Sequence, residues 1–212
     1  MEPNSENYQI LDRYNVPRET YKILEHYRKL VVNKNKQINL ISNKTEVNFI
    51  ERHTIDCIQA IDFIDINSKI CTDIGSGAGL PGIVLAAVLK GKNIKIKMNL
   101  YEKSYQKSSF LRQISEKLNL DVKVFQKNIF EEKNLNTDVI ISRAFKPLPI
   151  LLEIASTNFK NFKYIILFLG KSGKEVLKDA LRNWKFDYDV KKSLTNEESL
   201  VIKISNLQKK NG

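Results

Sequence analysis

Four glycines crowd into eight positions within the stretch Asp73-Ile74-Gly75-Ser76-Gly77-Ala78-Gly79-Leu80-Pro81-Gly82. Ahead of them Ile70 to Ile74 is an apolar run, and behind them Ile83 to Leu89 is apolar enough to be a packed helix. A strand that passes through a tight glycine turn into a helix is the opening unit of a parallel α/β sheet. Glycine is needed where the backbone takes a positive φ or comes close to a ligand, and a helix start adds unpaired N–H groups and partial positive charge. Pro81 suits the first helical turn, where no N–H is required. The loop is therefore read as a cradle for a nucleotide-like ligand, the plain alternative being a glycine turn that binds nothing.

From Lys69 onward strands and helices alternate. The pattern predicts strands at Lys69 to Ile74, Lys95 to Tyr101, Val122 to Phe125, Asp138 to Ser142 and Tyr164 to Leu169, with a closing pair near Asp187 to Lys191 and Ser199 to Ile204. Helices are expected at Gly82 to Lys90, Ser104 to Leu118, Leu148 to Asn158 and Gly173 to Trp184. In the second strand Lys95 and Lys97 alternate with Ile94, Ile96 and Met98; a sheet-interior strand is apolar on both faces, so the lysines are placed toward its outer end. Residues 1 to about 65 read as helical: Tyr21, Leu24, Tyr27, Leu30 and Val31 recur at helical spacing after Pro17, as do Phe49, Ile50, Thr54, Cys57, Ile58 and Ile61. A basic polar connector, Asn33 to Leu40, lies between them. The expected organisation is a helical cap over residues 1–66, an α/β domain over 67–206 and a mobile basic tail over 207–212.

At 212 residues the chain suffices for one well-buried domain with a small appendage. Its 35 Lys and Arg against 24 Asp and Glu leave a formal charge of +11, which suits either a polyanionic partner or simply a lysine-rich surface. The two cysteines, Cys57 and Cys71, indicate no disulfide, and no Cys or His cluster has metal-ligand spacing. With neither a leader-like segment nor a run long enough to span a membrane, a cytoplasmic protein is expected, with no membrane or metal partner.

Two ligands compete for the loop. Gly77-Ala78-Gly79-Leu80-Pro81-Gly82 satisfies the dinucleotide fingerprint G-x-G-x-x-G, and Glu102 stands where a ribose-binding acid belongs, which reads as NAD. Asp73 ahead of Gly75, Gly77 and Gly79 makes a tighter pattern, acid-x-G-x-G-x-G, which resembles motif I of S-adenosylmethionine-dependent methyltransferases. Charge separates the two: a carboxylate beside the loop favours a sulfonium and an ammonium and repels a pyrophosphate.

The resemblance becomes specific along the chain. Asn39-Leu40, Glu51-Arg52-His53-Thr54-Ile55-Asp56, the Asp73 to Gly82 loop, Phe110-Leu111-Arg112 and Ile141-Ser142-Arg143-Ala144-Phe145 are similar in order and spacing to the bacterial small-subunit ribosomal RNA guanine-N7 methyltransferase G family, also called glucose-inhibited division protein B. The likeness covers roughly residues 20 to 205, and its most distinctive parts are Leu80-Pro81-Gly82 and the Ser-Arg-Ala-Phe segment. It implies a Rossmann-like class I methyltransferase fold, a mostly parallel twisted sheet with an antiparallel closing strand. The implied reaction is methyl transfer from S-adenosylmethionine to N7 of one guanine in a loop of 16S-type ribosomal RNA, free or in an assembling subunit. A monomer is expected.

The resemblance puts Gly75 and Leu80 in contact with the cofactor. Gly75, Gly77 and Gly79 let backbone approach its methionine part, Leu80 walls the pocket, and Glu102 accepts the ribose hydroxyls. The stretch Asn128-Ile129-Phe130 follows the third strand, where family members hold the adenine; this chain has Asn128 in place of the family's usual arginine and Phe130 in place of an acid, and Phe130 can still pack on the adenine face. Arg143 ends the fourth strand at the carboxyl edge, and the family pattern favours a cofactor or catalytic-site role over a salt bridge to Glu102 or Asp73. His53 and Asp56 share a helix face at a spacing of three; with Asn39 they form the expected catalytic rim. Lys103, Lys107, Arg112 and Lys171 flank the expected pocket mouth and read as contacts to RNA phosphates. An NAD-dependent oxidoreductase and a non-catalytic RNA-binding protein are the competing functions.

Overall fold

The strand-turn-helix unit recurs through the chain and closes into one sheet. The computed structural model describes residues 5 to 210. Its principal strands are β1 (Ile70–Ile74), β2 (Lys97–Tyr101), β3 (Val122–Phe125), β5 (Val139–Arg143), β7 (Tyr164–Leu169), β8 (Trp184–Lys192) and β9 (Leu200–Lys209). They lie in the order β3-β2-β1-β5-β7-β9-β8, with β9 antiparallel to both neighbours and the remaining pairings parallel. Two short strands, β4 (Leu135–Asn136) and β6 (Phe159–Lys160), pair separately and have no counterpart in the sequence reading.

Both faces of the sheet are covered, as the near-continuous apolar strands require. Val139 and Ile141 of β5 face one core and Ile140 the other; Ile166 and Ile165 of β7 divide in the same way. The first face receives α5 (Gly82–Gly91) and α6 (Tyr105–Lys117), and the second receives α7 (Leu148–Asn158) and α8 (Gly173–Asn183). Because β1 has β2 on one side and β5 on the other, the loops leaving the carboxyl ends of β1 and β5 frame the crevice in which open α/β sheets bind ligands. The lysines of β2 behave as the interior position demands: Lys95 precedes the strand, Lys97 opens it, and both are exposed while Met98 and Leu100 are buried.

The N-terminal segment is helical, with α1 (Ser5–Arg13), α2 (Arg18–Asn35), α3 (Asn43–Glu46) and an irregular stretch made of a π turn (Ile50–Ile55), α4 (Asp56–Ile58) and a 3-10 turn (Gln59–Phe63). Leu24, Tyr27, Val31, Phe49, Cys57 and Ile58 join Ile83, Leu85 and Leu111 in one continuous core, so the cap is packed onto the sheet domain. Helix α2 runs to Asn35, three residues into the expected connector. The buried Asn35 side chain then accepts from the Leu40 and Ile41 N–H groups and donates to the Ile41 carbonyl, turning the chain back toward the sheet.

Two boundaries are corrected. Trp184 starts β8 rather than ending a helix, because Trp184 and Phe186 alternate inward at a strand's period of two. The first half of the expected tail is sheet: β9 continues through Lys209, pairing Lys209 with Trp184 and Gln208 with Lys185, while residues 211–212 lie outside the described residues. No helix among the described residues is long and apolar enough to cross a membrane.

Candidate active site

Gly75, Gly77 and Gly79 have φ values of +75°, +56° and +98°, the left-handed region that non-glycine residues rarely adopt. Their surroundings differ. A Cβ added at Gly75 would lie 2.2 Å from Cδ2 of Phe145, and one at Gly79 would lie 2.5 Å from Ile83, so these two glycines admit protein side chains. At Gly77 an added Cβ would meet only the Gly75 carbonyl, at 3.9 Å, so this is the place where the backbone is open to a ligand. Gly77 and Gly75 line the cavity, whereas the space at Gly79 is taken by Ile83 and Leu111.

Asp73 holds this loop from behind. Its Oδ2 accepts from the Gly82 N–H at 3.0 Å, and its carboxyl is fully buried, with Oδ1 lacking a partner. Burial outweighs the hydrogen bonds it accepts and pushes its pKa from 3.8 up to about 7. It does not line the cavity. Glu102 at the end of β2 does line the cavity; its Oε2 accepts from the Gly77 N–H at 3.0 Å and its Oε1 accepts from the Ser104 N–H at 2.8 Å.

The cap braces the loop from the other side through Tyr27, whose hydroxyl donates to the Ala78 carbonyl at 3.0 Å in a fully buried contact. Tyr27→Phe leaves that carbonyl buried and unpaired; the expected loss is about 1–3 kcal/mol in urea unfolding, with an unchanged m-value.

Arg143, His53 and Asp56, from β5 and the cap, converge as expected. The partner of Arg143 is neither Glu102 nor Asp73: its Nε donates to Asp56 Oδ2 at 2.8 Å, Nη2 to the Arg52 carbonyl at 2.8 Å, and Nη1 lies 3.3 Å from His53 Nδ1. An arginine only donates, so His53 Nδ1 accepts and Nε2 carries the proton, which it gives to Thr45 Oγ1 at 2.9 Å; that hydroxyl donates onward to the Ser42 carbonyl. Burial and the Arg143 charge push the His53 pKa from 6.5 down to about 4, so the ring is neutral near pH 7. Asp56 Oδ1 accepts from Gln59, Ser193 and Thr195, tying the cap to the turn between β8 and β9.

These groups share one cavity of about 690 Å³ at the carboxyl edge of the sheet. Its lining includes Leu80, Glu102, Ile129, Phe130, Arg143, His53 and Asp56 from the expected set. Lys103 and Lys107 line it too, whereas Arg112 lies exposed further along α6 and Lys171, also exposed, pairs with Glu198 at 2.9 Å; neither lines the cavity. Asn39 is exposed and lines only a shallow neighbouring depression, so it does not join the Arg143 cluster. Sequence reasoning missed Lys127 and Lys146 at the cavity and assigned no role to Phe145, although its Ser-Arg-Ala-Phe segment had been singled out. Lining cations (Lys103, Lys107, Lys127, Lys146, Arg143) outnumber carboxylates (Asp56, Glu102), which gives the mouth a field suited to a polyanion.

Comparison with known proteins agrees with this fold. The family described as rRNA small subunit methyltransferase G matches residues 20–201. A protein of Pelagibacter ubique (strain HTCC1062) named Ribosomal RNA small subunit methyltransferase G is 46% identical over 213 residues, covering all of both chains. Among solved structures, the magnesium protoporphyrin IX methyltransferase ChlM of Synechocystis PCC 6803 with bound SAM shares the fold at a TM-score of 0.56 and 9% identity, covering 85% of this chain and 97% of its own. The 16S rRNA methylase RmtB does so at 0.55 and 12%, covering 90% of this chain and 75% of its own.

Proposed function

The chain belongs to the rRNA small subunit methyltransferase G family, and from that premise we propose that it transfers a methyl group from S-adenosylmethionine to N7 of one guanine in a loop of small-subunit ribosomal RNA. Family membership sets aside the NAD reading of the glycine loop.

The residues present fit the cofactor. The cavity is within the size range of cofactor sites, the open backbone at Gly77 gives it a surface to lie against, and Glu102 offers carboxylate lone pairs for ribose hydroxyls. In this reading Gly75, Gly77, Leu80, Glu102 and Ile129 hold it; Asp73 and Gly79 shape the loop without touching it. S-adenosylmethionine supplies a methyl group already activated by its sulfonium.

The observation that carries the N7 reading is the state of His53. Both its nitrogens are engaged and its pKa lies far below neutrality, so the cluster offers no general base. Guanine N7 needs none, because its lone pair is free in the neutral base. What remains for the protein is positioning and electrostatics. Arg143 has five N–H donors, three held by Asp56, His53 and Arg52; the other two are available to a ligand in the cavity, where guanine O6 or a carboxylate is a suitable acceptor. His53 and Asp56 act as positioning residues for that guanidinium. Lys103 and Lys107 meet RNA phosphates, and extrusion of the target base is easier from a loop than from a duplex. A cytoplasmic monomer working on free or assembling small-subunit RNA completes the reading.

The test is to map N7-methylguanine by chemical strand cleavage in small-subunit RNA from cells with and without the protein. One cleavage site present only with the protein is expected. Identical cleavage patterns overturn the proposal, and if the purified protein then binds RNA but not S-adenosylmethionine, the non-catalytic RNA-binding reading takes its place.

A further inference from the structure

All three acceptors of the Arg143 guanidinium come from one short stretch of the cap, residues 52–56. There the chain passes from the π turn (Ile50–Ile55) through α4 into the 3-10 turn (Gln59–Phe63), irregular winding of a kind that recurs at functional sites. The place of the guanidinium in the cavity therefore depends on what fixes this stretch against the sheet. Asp56 supplies the link. Its Oδ2 accepts from Arg143 Nε, and its Oδ1 accepts from Gln59 Nε2 at 2.9 Å, Ser193 Oγ at 3.1 Å and Thr195 Oγ1 at 3.1 Å, which fills the about four lone-pair sites of a carboxylate. Gln59 belongs to the cap and moves with Asp56, whereas Ser193 and Thr195 belong to the turn between β8 and β9.

That turn is itself braced. The Ser193 N–H donates to the Ser199 carbonyl at 2.8 Å, the Thr195 N–H donates to Ser193 Oγ at 3.2 Å, and the Leu194 N–H donates to Gln59 Oε1 at 3.1 Å. It leaves the sheet at the edge from which Arg143 projects: Arg143 pairs with Phe168 of β7, Phe168 with Val201 of β9, and Val201 with Lys191 of β8. Ser199 and Leu200 line the cavity, whereas Ser193 and Thr195 do not, so neither hydroxyl meets a ligand there. Arg143, Asp56 and the turn close a circuit that begins and ends on one sheet.

Resting on the function proposed above, we propose that the Ser193 and Thr195 hydroxyls are positioning residues for methyl transfer, acting through Asp56 to hold the Arg143 guanidinium where its two remaining N–H groups meet the ligand. The other holds on the guanidinium do not refer it to the sheet. Nη1 stands 3.3 Å from His53, a long contact, and the Arg52 carbonyl lies on the same cap stretch as Asp56. With a hydroxyl removed, Asp56 keeps its contact with Arg143, and the pair is free to turn together. Alignment is lost while the charge stays, which lowers the rate of transfer more than the affinity for RNA.

The test compares Thr195→Val, Thr195→Ser and Ser193→Ala in the full chain, at a temperature where circular dichroism shows each variant folded. The readout is single-turnover methylation of small-subunit RNA lacking the modification, followed as a function of RNA concentration. Thr195→Val keeps the shape and removes the hydroxyl, so the maximal rate should fall roughly 3- to 30-fold, with a smaller change in the RNA concentration at half saturation. Ser193→Ala should act in the same direction and stands in for Thr195→Val if that variant does not fold. Thr195→Ser restores the hydroxyl and should restore the parental rate. The decisive measurement places Thr195→Val on Arg143→Ala: with no guanidinium to position, the second substitution should change the rate by less than about twofold, whereas independent sites would add their losses. A parental maximal rate in the folded hydroxyl variant, a loss confined to RNA affinity, or the same fold-loss with and without Arg143 overturns the proposal while wild-type methylation leaves the function intact. A wild-type protein that methylates no RNA overturns both.

Discussion

Arg143→Ala is expected to lower methyl transfer to small-subunit RNA by at least about a hundredfold, the scale of losing a preorganised donor or correct alignment. The side chain reaches the cavity from the sheet while being clamped from the cap, through Asp56, His53 and the Arg52 carbonyl. Its removal has two consequences, which must be separated. The guanidinium–carboxylate pair is largely buried, with side-chain exposures of 18% and 14%, and losing one partner of such a pair costs about 3 kcal/mol. Asp56 Oδ1 keeps Gln59, Ser193 and Thr195, which limits the damage. Arg143→Lys supplies the control: an ammonium keeps the charge beside Asp56 but cannot serve three acceptors in a planar fork and still present donors to the cavity. It should melt near the parent and lose at least tenfold in kcat, with a smaller change in KM for RNA. Near-parental kcat in a folded Arg143→Ala protein rules out the assigned role.

What the sequence made legible was whatever depends on local period or on a motif. The β1–Gly loop–α5 unit and the alternation of strands and helices follow from apolar runs and glycine positions, which act within a few residues, whereas the reversal at β9 was implied only by the family resemblance. The meeting of Arg143 with His53 and Asp56 was also legible, because a helix face and a strand end are each defined locally. The hydroxyls of Ser193 and Thr195 on Asp56 were not, since they lie 137 and 139 residues away and come from a turn without a motif. Nor was the division of labour among the glycines: Gly75 and Gly79 are required by Phe145 and Ile83, and a sequence does not say whether a glycine makes room for a ligand or for a neighbour. Nor did the sequence show how deep Asp73 lies: read as a charge ahead of the loop, it is fully buried and accepts from the Gly82 N–H. The sheet pairing of Gln208 and Lys209 was hidden by polar side chains that the edge strand β8 allows its partner to expose.

Two buried titrations should give the protein a flat pH–stability profile that single substitutions tilt in opposite directions. In the folded state the Asp73 pKa is raised from 3.8 to about 7, chiefly by burial, with Glu102 raising it further and Arg143 opposing. Between these values the folded molecule holds a proton that the unfolded chain has released, so this contribution is complete below about pH 4 and is lost as pH rises to 7. It amounts to about 4 kcal/mol at about 1.4 kcal/mol per pKa unit. His53 runs the other way. Burial, Arg143 and Arg52 lower its pKa from 6.5 to about 4 against the pull of Asp56, so the unfolded chain binds a proton first and stability is lost as pH falls through that window. That contribution is of order 2 kcal/mol once solvent screening near the cavity is allowed for. The slopes oppose one another from about pH 4 to 6.5, and only Asp73 acts between 6.5 and 7. Asp73→Asn removes one slope while its amide oxygen can still accept from the Gly82 N–H, so its urea midpoint should rise with pH relative to the parent. His53→Gln removes the other, and its midpoint should fall. Because each curve is read as a difference from the parent, carboxylates elsewhere cancel. An Asp73→Asn curve parallel to the parent between pH 4 and 7 would mean that Asp73 is ionised when folded, and the loop would then rest on a buried charge instead of a proton.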